Sequence, residues 1–321
     1  MKIDNFALSM FQTCPIKYKL RMHEGWTGRR KSAALGFGAT LHEGLAAWYR
    51  TGSKSEALVA ISEHWPANHP IDDFRSKEKC ISVMVDYMKT YSTESFKVIG
   101  YPENPMVECT FTLDTGMRIS CVKCGPILGK YKGYYDIVGK ELTLVNDHPL
   151  CPTCGQPLET LEYGGIFDTL IDFSNSVYVL EHKSTSQMGS YYFNQFKPNN
   201  QVTGYTWAAS LLSGKRVGGA IINGIGIYKS SKTKFERQIT TRSTQDIAEW
   251  LNNIHHTCEL IRECERTKHW PMFTTSCTMY GQCEFHRVHV LSSPTEREKM
   301  LEQDYVKDDW HYEERTGVKD E

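Results

Sequence analysis

Ile166-Phe167-Asp168-Thr169-Leu170-Ile171-Asp172 and, after Phe173-Ser174-Asn175-Ser176, Val177-Tyr178-Val179-Leu180-Glu181-His182-Lys183 decide how this chain folds. Both runs read as strands, and the polar turn formers between them suit a tight hairpin. Side chains two apart on a strand share a face, so Glu181 and Lys183 project together while His182 points away. A hairpin centred between Ser174 and Asn175 sets Asp168 opposite Glu181. Directly opposed residues have Cβ atoms about 4.5–5.5 Å apart, near enough for two carboxylates to share one divalent cation. A lysine beside such a cation can hold an attacking water or balance the charge of a scissile phosphate. Two carboxylates and one lysine on a hairpin face predict a metal-dependent phosphodiester-cleaving site.

Working outward, Phe6 to Arg21 has helical spacing, and Phe37 to Arg50 reads as an amphipathic helix carrying His42 and closed by Thr51-Gly52. Ser55 to Trp65 and Ser76 to Tyr91 read as two more helices, and Val107 to Leu113 alternates like a strand. Beyond the hairpin come a helix over Asn200 to Leu212, strands over Arg216 to Tyr228 and Lys234 to Thr240, and a long helix over Thr244 to Thr267. This order predicts an α/β sandwich and not a doubly wound dinucleotide fold. The expected organisation is a helical part with the first core strand over 1–115, an insertion over 116–158, and the core with a Cys/His-containing segment over 159–291. A charged tail over 292–321, poor in aliphatic residues, predicts a mobile or partner-bound extension.

At 321 residues the chain can hold one large domain or two modest ones. It has no run of about 18 apolar residues, so no membrane span is predicted. The segment Met1-Lys2-Ile3-Asp4-Asn5 lacks the features of a signal peptide, and the expected address is cytoplasmic, or a host cytoplasm for a viral gene. In that reducing compartment the 11 cysteines suggest metal ligation over a disulfide framework. A net charge of −1 does not announce nucleic-acid binding. That weighs against a passive coating protein more than against an enzyme that meets phosphates with local lysines and bound metal.

Cys121-Val122-Lys123-Cys124-Gly125 and Cys151-Pro152-Thr153-Cys154-Gly155 are two C-x-x-C-G knuckles. Each turns the chain so that both thiolates face one ion, and four thiolates give the closed tetrahedral coordination of structural Zn²⁺. The stretch between them exceeds that of a minimal zinc ribbon and predicts an intervening small hairpin. Such a ribbon could touch DNA, touch a partner, or stabilise a long loop.

With these residues placed, the chain resembles the PD-(D/E)XK nuclease superfamily, and within it the RecB-type exonuclease domains. Leu35-Gly36-Phe37-Gly38-Ala39-Thr40-Leu41-His42 resembles the helix that supplies a metal-binding histidine. Gly165-Ile166-Phe167-Asp168 resembles the first metal-ligand motif and Glu181-His182-Lys183 the second. Gln201-Val202-Thr203-Gly204-Tyr205 resembles the Q-x-x-x-Y helix, whose two side chains lie one turn apart. Ser9-Met10-Phe11-Gln12-Thr13-Cys14-Pro15 resembles the family's N-terminal segment. The matches run in the family's order from about Ser9 to Cys283.

The resemblance implies a restriction-endonuclease-like core, a central mixed sheet flanked by helices, to which the zinc ribbon is an addition. It implies Mg²⁺ or Mn²⁺ held by His42, Asp168, Glu181 and the backbone carbonyl of His182, the imidazole shifting preference toward Mn²⁺. Lys183 would orient water, and Gln201 and Tyr205 would contact the DNA backbone or hold Lys183. Glu108 sits where relatives often carry a glutamate and is expected to stand behind the ligands or serve a second metal. Lys17, Lys19, Arg21, Arg29, Arg30 and Lys31 form a basic patch that either meets DNA or is a solvated face. Iron–sulfur relatives carry one cysteine before the core and three after it. Here Cys14, Cys277 and Cys283 match, with His289 where the last cysteine is expected. A [4Fe–4S] cluster with His289 as fourth ligand, a Cys₃His zinc site and no metal all remain open.

The activity so implied is a DNA exonuclease in replication, recombination or repair, in keeping with a phage enzyme and with partners drawn from those machineries. Its rivals are a DNA-binding or scaffold subunit of a larger complex and a structure-selective endonuclease.

Overall fold

The structure, a computed structural model, describes residues 1–313 apart from 30, 31, 71, 73, 128–131, 190, 231 and 280. In chain order it begins with β1 (Lys2–Asp4), α1 (Asn5–Thr13), α2 (Pro15–Tyr18), β2 (Trp26–Gly28), α3 (Ala33–Thr51), α4 (Lys54–Glu63) and α5 (Lys77–Thr90). Strands β3 (Lys97–Val98), β4 (Val107–Cys121), β5 (Gly125–Pro126), β6 (Tyr134–Val138), β7 (Glu141–Val145), β8 (Glu159–Phe173) and β9 (Ser176–Thr185) follow. Then come α6 (Asn200–Ser213), β10 (Val217–Ile227), β11 (Thr233–Thr241), α7 (Thr244–Thr267), α8 (His286–His289), α9 (Pro294–Asp304) and β12 (Tyr305–Lys307). Two compact units result: one comprises Met1–Arg29, Thr112–Gly165 and Thr244–Glu321, the other Arg30–Phe111 and Ile166–Ser243.

In the second unit the strand order is β11-β10-β9-β8-β4. The β8–β9 and β10–β11 pairs are antiparallel and the β9–β10 pair is parallel, so the sheet is mixed as expected. A parallel pair needs a crossover, and α6 supplies it. The β8–β9 hairpin pairs Phe173 with Ser176 and continues to Thr169 with Leu180, the register its sequence predicts. Ser174 and Asn175 both take left-handed φ values, 52° and 62°, the signature of the two-residue turn whose twist matches its strands. Beyond that pair the main-chain N–H of His182 donates to the Asp168 side chain.

Helices α3, α4 and α5 bury Phe37, Leu41, Leu45, Ile61, Val83 and Met84 together with Ile171, Leu180 and Ile221 of the strands. Their ends follow from local chemistry. Ser53 and Ser76 accept from the main-chain N–H groups of Glu56 and Lys79, and Gly52, at φ 70°, closes α3.

In the first unit, β1 runs parallel to the Glu162–Gly164 stretch of β8. The single helix expected over Phe6 to Arg21 is broken at Cys14, whose φ of −166° is extended because Pro15 disfavours helical geometry in the residue before it. Strand β4 runs past Gly116 to Cys121, so the first knuckle ends a core strand. The hairpin expected between the knuckles is the antiparallel pair β6–β7.

The tail corrects its expectation. Pro294–Asp304 is helical, β12 pairs antiparallel with β2, and Leu301 and Tyr305 pack with Leu20, Phe285 and Val288. Trp310 lies on Phe6 and donates to Asp4, while Tyr312 hydrogen-bonds Thr112. Aromatic side chains supply the burial that a count of aliphatic residues overlooked. Residues 314–321 of the tail lie outside the described residues. No described helix is long and apolar enough to cross a membrane.

A bulge between Val217 and Ala220 sets the β9–β10 register, pairing Asn223 with His182. Gly219 there has a φ of 142°, and a Cβ at that position would stand 2.1 Å from the Thr240 carbonyl oxygen. Gly219→Ala should lower stability by at least about 1–3 kcal/mol, measured by denaturant unfolding. An unchanged midpoint would contradict this geometry.

Candidate active site

The expected nuclease-site residues all lie in the second unit: His42 on α3, Asp168 on β8, Glu181, His182 and Lys183 on β9, and Gln201 and Tyr205 on α6. His42, Glu108 and Asp168 offer ligand atoms that lie within 4.8 Å of one another. His42 Nδ1 is 3.2 Å from Asp168 Oδ1, and Asp168 Oδ2 accepts from the main-chain N–H of His182 at 2.6 Å. Glu181 Oε1 accepts from Lys183 Nζ at 2.6 Å, whereas its Oε2 is buried with no hydrogen-bond partner among the described residues. Lys183 Nζ also donates to Gln201 Oε1 at 3.0 Å, and Gln201 Nε2 donates to Tyr205 Oη at 3.3 Å. The Q-x-x-x-Y pair thus holds the lysine.

Glu108 is the residue that sequence reasoning underrated. Its φ of 52° is left-handed, a conformation that costs a non-glycine residue on the order of 1–3 kcal/mol and collects at functional sites. Its place at the start of the first core strand was readable; the turned backbone was not. Burial, reinforced by Asp168, pushes the Glu108 carboxyl up to about 8 and that of Glu181 up to about 7. Burial opposes ionisation of His42 as well, yet the facing Asp168 carboxylate carries it up to about 9. For Asp168 burial again works upward, and the His42 charge and hydrogen bond hold it well below the usual carboxylate range. Two buried carboxyl groups and a half-buried one thus share one lysine and one imidazolium. A divalent cation would replace the His42 proton and neutralise the acids, and carboxylate oxygens with one imidazole suit Mg²⁺ or Mn²⁺.

The His182 side chain leaves this group, as the strand alternation requires, and is 2% exposed. Burial pushes its imidazole down to about 3, so it stays neutral. Nδ1 lies 2.7 Å from Asn223 Nδ2.

In the first unit, the ligand atoms of Cys121, Cys124, Cys151 and Cys154 lie within 4.8 Å of one another. Main-chain N–H groups of Thr153 and Cys154 pull the Cys151 thiol down to about 6, favouring the thiolate that a metal binds. The other cysteine group is looser. Cys14 is buried and its Sγ accepts from the main-chain N–H of Phe273 at 3.5 Å. The Cys283 N–H donates to the Cys277 carbonyl at 2.8 Å, and Lys17 pairs with Glu284 at 3.3 Å. Both ring nitrogens of His289 are buried without a partner among the described residues. Among the described residues, no three of Cys14, Cys277, Cys283 and His289 bring ligand atoms within 4.8 Å of one another. Zn–S bonds are about 2.3 Å long, a tighter shell than these four side chains form as they stand.

The basic patch has partners of its own. Lys17 and Lys19 pair with Glu284 and Glu24, Arg21 is buried against Asp308 and Trp310, and Arg29 donates to the Glu302 and Gln303 carbonyls. Arg30 and Lys31 lie outside the described residues.

The family model for the PD-(D/E)XK nuclease superfamily matches residues 6–288, and the chain belongs to that superfamily. Among curated proteins none matches the sequence. A protein from Eubacterium rectale, provisionally named an exonuclease, shares the fold at a TM-score of 0.50 and 10% identity, covering 91% of this chain and 90% of its own. SSO0001 aligns at a TM-score of 0.30 and 13% identity over 80% of this chain and 84% of its own, a likeness too distant to bear on the fold.

The raised groups carry a pH signature. Glu108 and Glu181 titrate above their usual 4.5, and His42 above its usual 6.5. Their stabilisation is complete below those usual values and is lost as pH rises through the folded ones. Metal-free protein should therefore lose stability from about pH 5 to 9, and Glu108→Gln should flatten the slope. Mn²⁺ should restore stability, release protons on binding, and bind more tightly as pH rises over the same window. Calorimetry with and without Mn²⁺ checks this; a metal-free stability that rises across the window would contradict it.

Proposed function

We propose that this nuclease is a divalent-metal-dependent deoxyribonuclease that acts as an exonuclease on DNA ends. The observation that carries the reading is the buried, unpartnered Oε2 of Glu181 beside the His42–Glu108–Asp168 group. An orphaned buried carboxylate oxygen is costly and marks the place of a missing cation. His42, Glu108, Asp168 and Glu181 would hold Mg²⁺ or Mn²⁺, with the His182 carbonyl as a further oxygen ligand. The bound cation supplies acidification of a water and charge neutralisation at phosphorus. Lys183, steered by Gln201 and Tyr205, orients that water and meets the charge that develops on the phosphoryl oxygens. The water oxygen bonds to phosphorus as it gives up a proton, the bond to the leaving deoxyribose oxygen breaks, and that oxygen takes up a proton.

Cys121, Cys124, Cys151 and Cys154 hold Zn²⁺ as a structural site in this reading. Cys14, Cys277, Cys283 and His289 hold a [4Fe–4S] cluster, whose thiolates sit farther apart than zinc ligands do. The unpartnered ring of His289 supports the fourth ligand. The setting is cytoplasmic DNA end processing in replication, recombination or repair, as in a phage, alongside proteins of those pathways.

Asp168→Ala, Glu181→Ala and Lys183→Ala should each reduce cleavage by about 10²–10³ or more while the fold persists. End-labelled single- and double-stranded DNA and closed circles, with Mg²⁺ or Mn²⁺, provide the assay. Cutting of closed circles would make the enzyme an endonuclease, and binding without cutting would make it a scaffold.

Elemental analysis of anaerobically purified protein should find about one zinc and four irons per chain, with visible thiolate-to-iron absorption that Cys14→Ala bleaches. Zinc should be lost from Cys121→Ser/Cys124→Ser with partial destabilisation. Protein with zinc alone and no colour would remove the cluster from this reading.

A further inference from the structure

Behind the carboxylates lies a buried polar cluster that the cleavage chemistry does not use. Arg237 Nη1 and Nη2 donate to the Glu94 carboxylate at 2.6 and 2.9 Å, and Nη2 reaches the Tyr49 and Tyr87 hydroxyls at 3.0 and 2.9 Å. Its guanidinium lies 3.5 Å from the Tyr91 ring centroid. The remaining donor, Nε, meets Asn223 Oδ1 at 3.1 Å. Asn223 is fully buried, and its Nδ2 reaches Tyr87 Oη at 2.9 Å and His182 Nδ1 at 2.7 Å.

The donor inventory fixes every orientation in this chain. A guanidinium has no acceptor, so the Asn223 atom facing it must be the oxygen, and the amide nitrogen must face His182. A ring nitrogen opposite an amide N–H₂ must accept. The neutral imidazole therefore carries its proton on Nε2. The ring is also held mechanically, stacked on Tyr49 at 5.5 Å and 15° and set edgewise to His42 at 5.9 Å and 87°.

We propose that His182 is a positioning residue for Asp168. The Glu94–Arg237–Asn223 chain fixes its imidazole as the Nε2–H tautomer, and the ring so held sets the main-chain N–H that clamps Asp168 Oδ2. That clamp leaves Oδ1 to His42 and the metal, so the inference rests on the metal-site reading. An apolar residue at 182 would leave the Asn223 amide unpaired in the core, and a networked histidine ties strand β9 to a rigid charged pair. Partners standing behind metal ligands typically matter by about 10- to 100-fold in affinity or activity.

The test begins with metal-free wild-type protein labelled with ¹⁵N at histidine, in which long-range correlations should place the His182 proton on Nε2. Asn223→Asp keeps shape but offers an acceptor where the amide donated, so the proton should move to Nδ1 and the His182 main-chain amide resonance should shift. Mn²⁺ affinity and kcat should each fall about 10- to 100-fold, with KM for DNA unchanged. A wild-type proton on Nδ1 overturns the proposal. So does an Asn223→Asp protein with an inverted tautomer but unchanged amide resonance, Mn²⁺ affinity and kcat. If that variant does not fold, Arg237→Lys, which keeps the charge and loses the Nε contact, must give the same losses. The tautomer and amide are read without metal or substrate. A chain that binds no Mn²⁺ and cuts no DNA would therefore fail the site reading while leaving this measurement interpretable.

Discussion

Crowding of negative charge in a place that water cannot reach governs this molecule. Asp168 and Glu181 are 6% and 2% exposed, and Glu108 is brought to them by a backbone conformation that works against it. Isolated carboxylates in such surroundings either take up protons or find cations. Each neighbour can be read as a response to that constraint. His42 gives Asp168 a charge to face, Lys183 covers one oxygen of Glu181, and the His182 N–H covers one oxygen of Asp168. The unpartnered oxygen of Glu181 and the elevated Glu108 carboxyl measure what these responses leave undone.

How much of this the sequence disclosed depends on the range over which each feature is determined. The hairpin was legible because its pleat has period two and its turn residues tolerate positive φ, so the register from Phe173–Ser176 to Thr169–Leu180 fell as expected. Lys183, Gln201 and Tyr205 were legible for the same reason: spacing on one strand and one helix settles which face they share. Glu108 was placed on its strand and behind the ligands or at a second metal, but its left-handed backbone was not legible, since only tertiary packing holds it there. The tail was misjudged because Tyr305, Trp310 and Tyr312 bury area that a count of aliphatic residues misses. Proline at position 15 already marked the break at Cys14, which helical spacing alone ran through.

The two cysteine groups show the same division. A C-x-x-C-G knuckle fixes its thiols within five residues, so both pairs had only to meet, and the four sulfurs do meet. Cys14 and His289 stand at opposite ends of the sequence, and no local spacing governs their approach. Their neighbourhood follows instead from packing, seen in the Phe273 N–H on Cys14 and the Lys17–Glu284 pair.

The choice of an amide at position 201 follows from the charge problem as well. A residue that holds Lys183 from α6 must accept from its ammonium, and a carboxylate would accept more strongly. It would also add a fourth acid to three that already lack sufficient cations, and draw the lysine from Glu181. Glutamine accepts through Oε1 and donates through Nε2 to Tyr205, so it fixes the ammonium without altering the charge count. The lysine is left between one carboxylate and one neutral oxygen. In the proposed mechanism that hold aims it at a water.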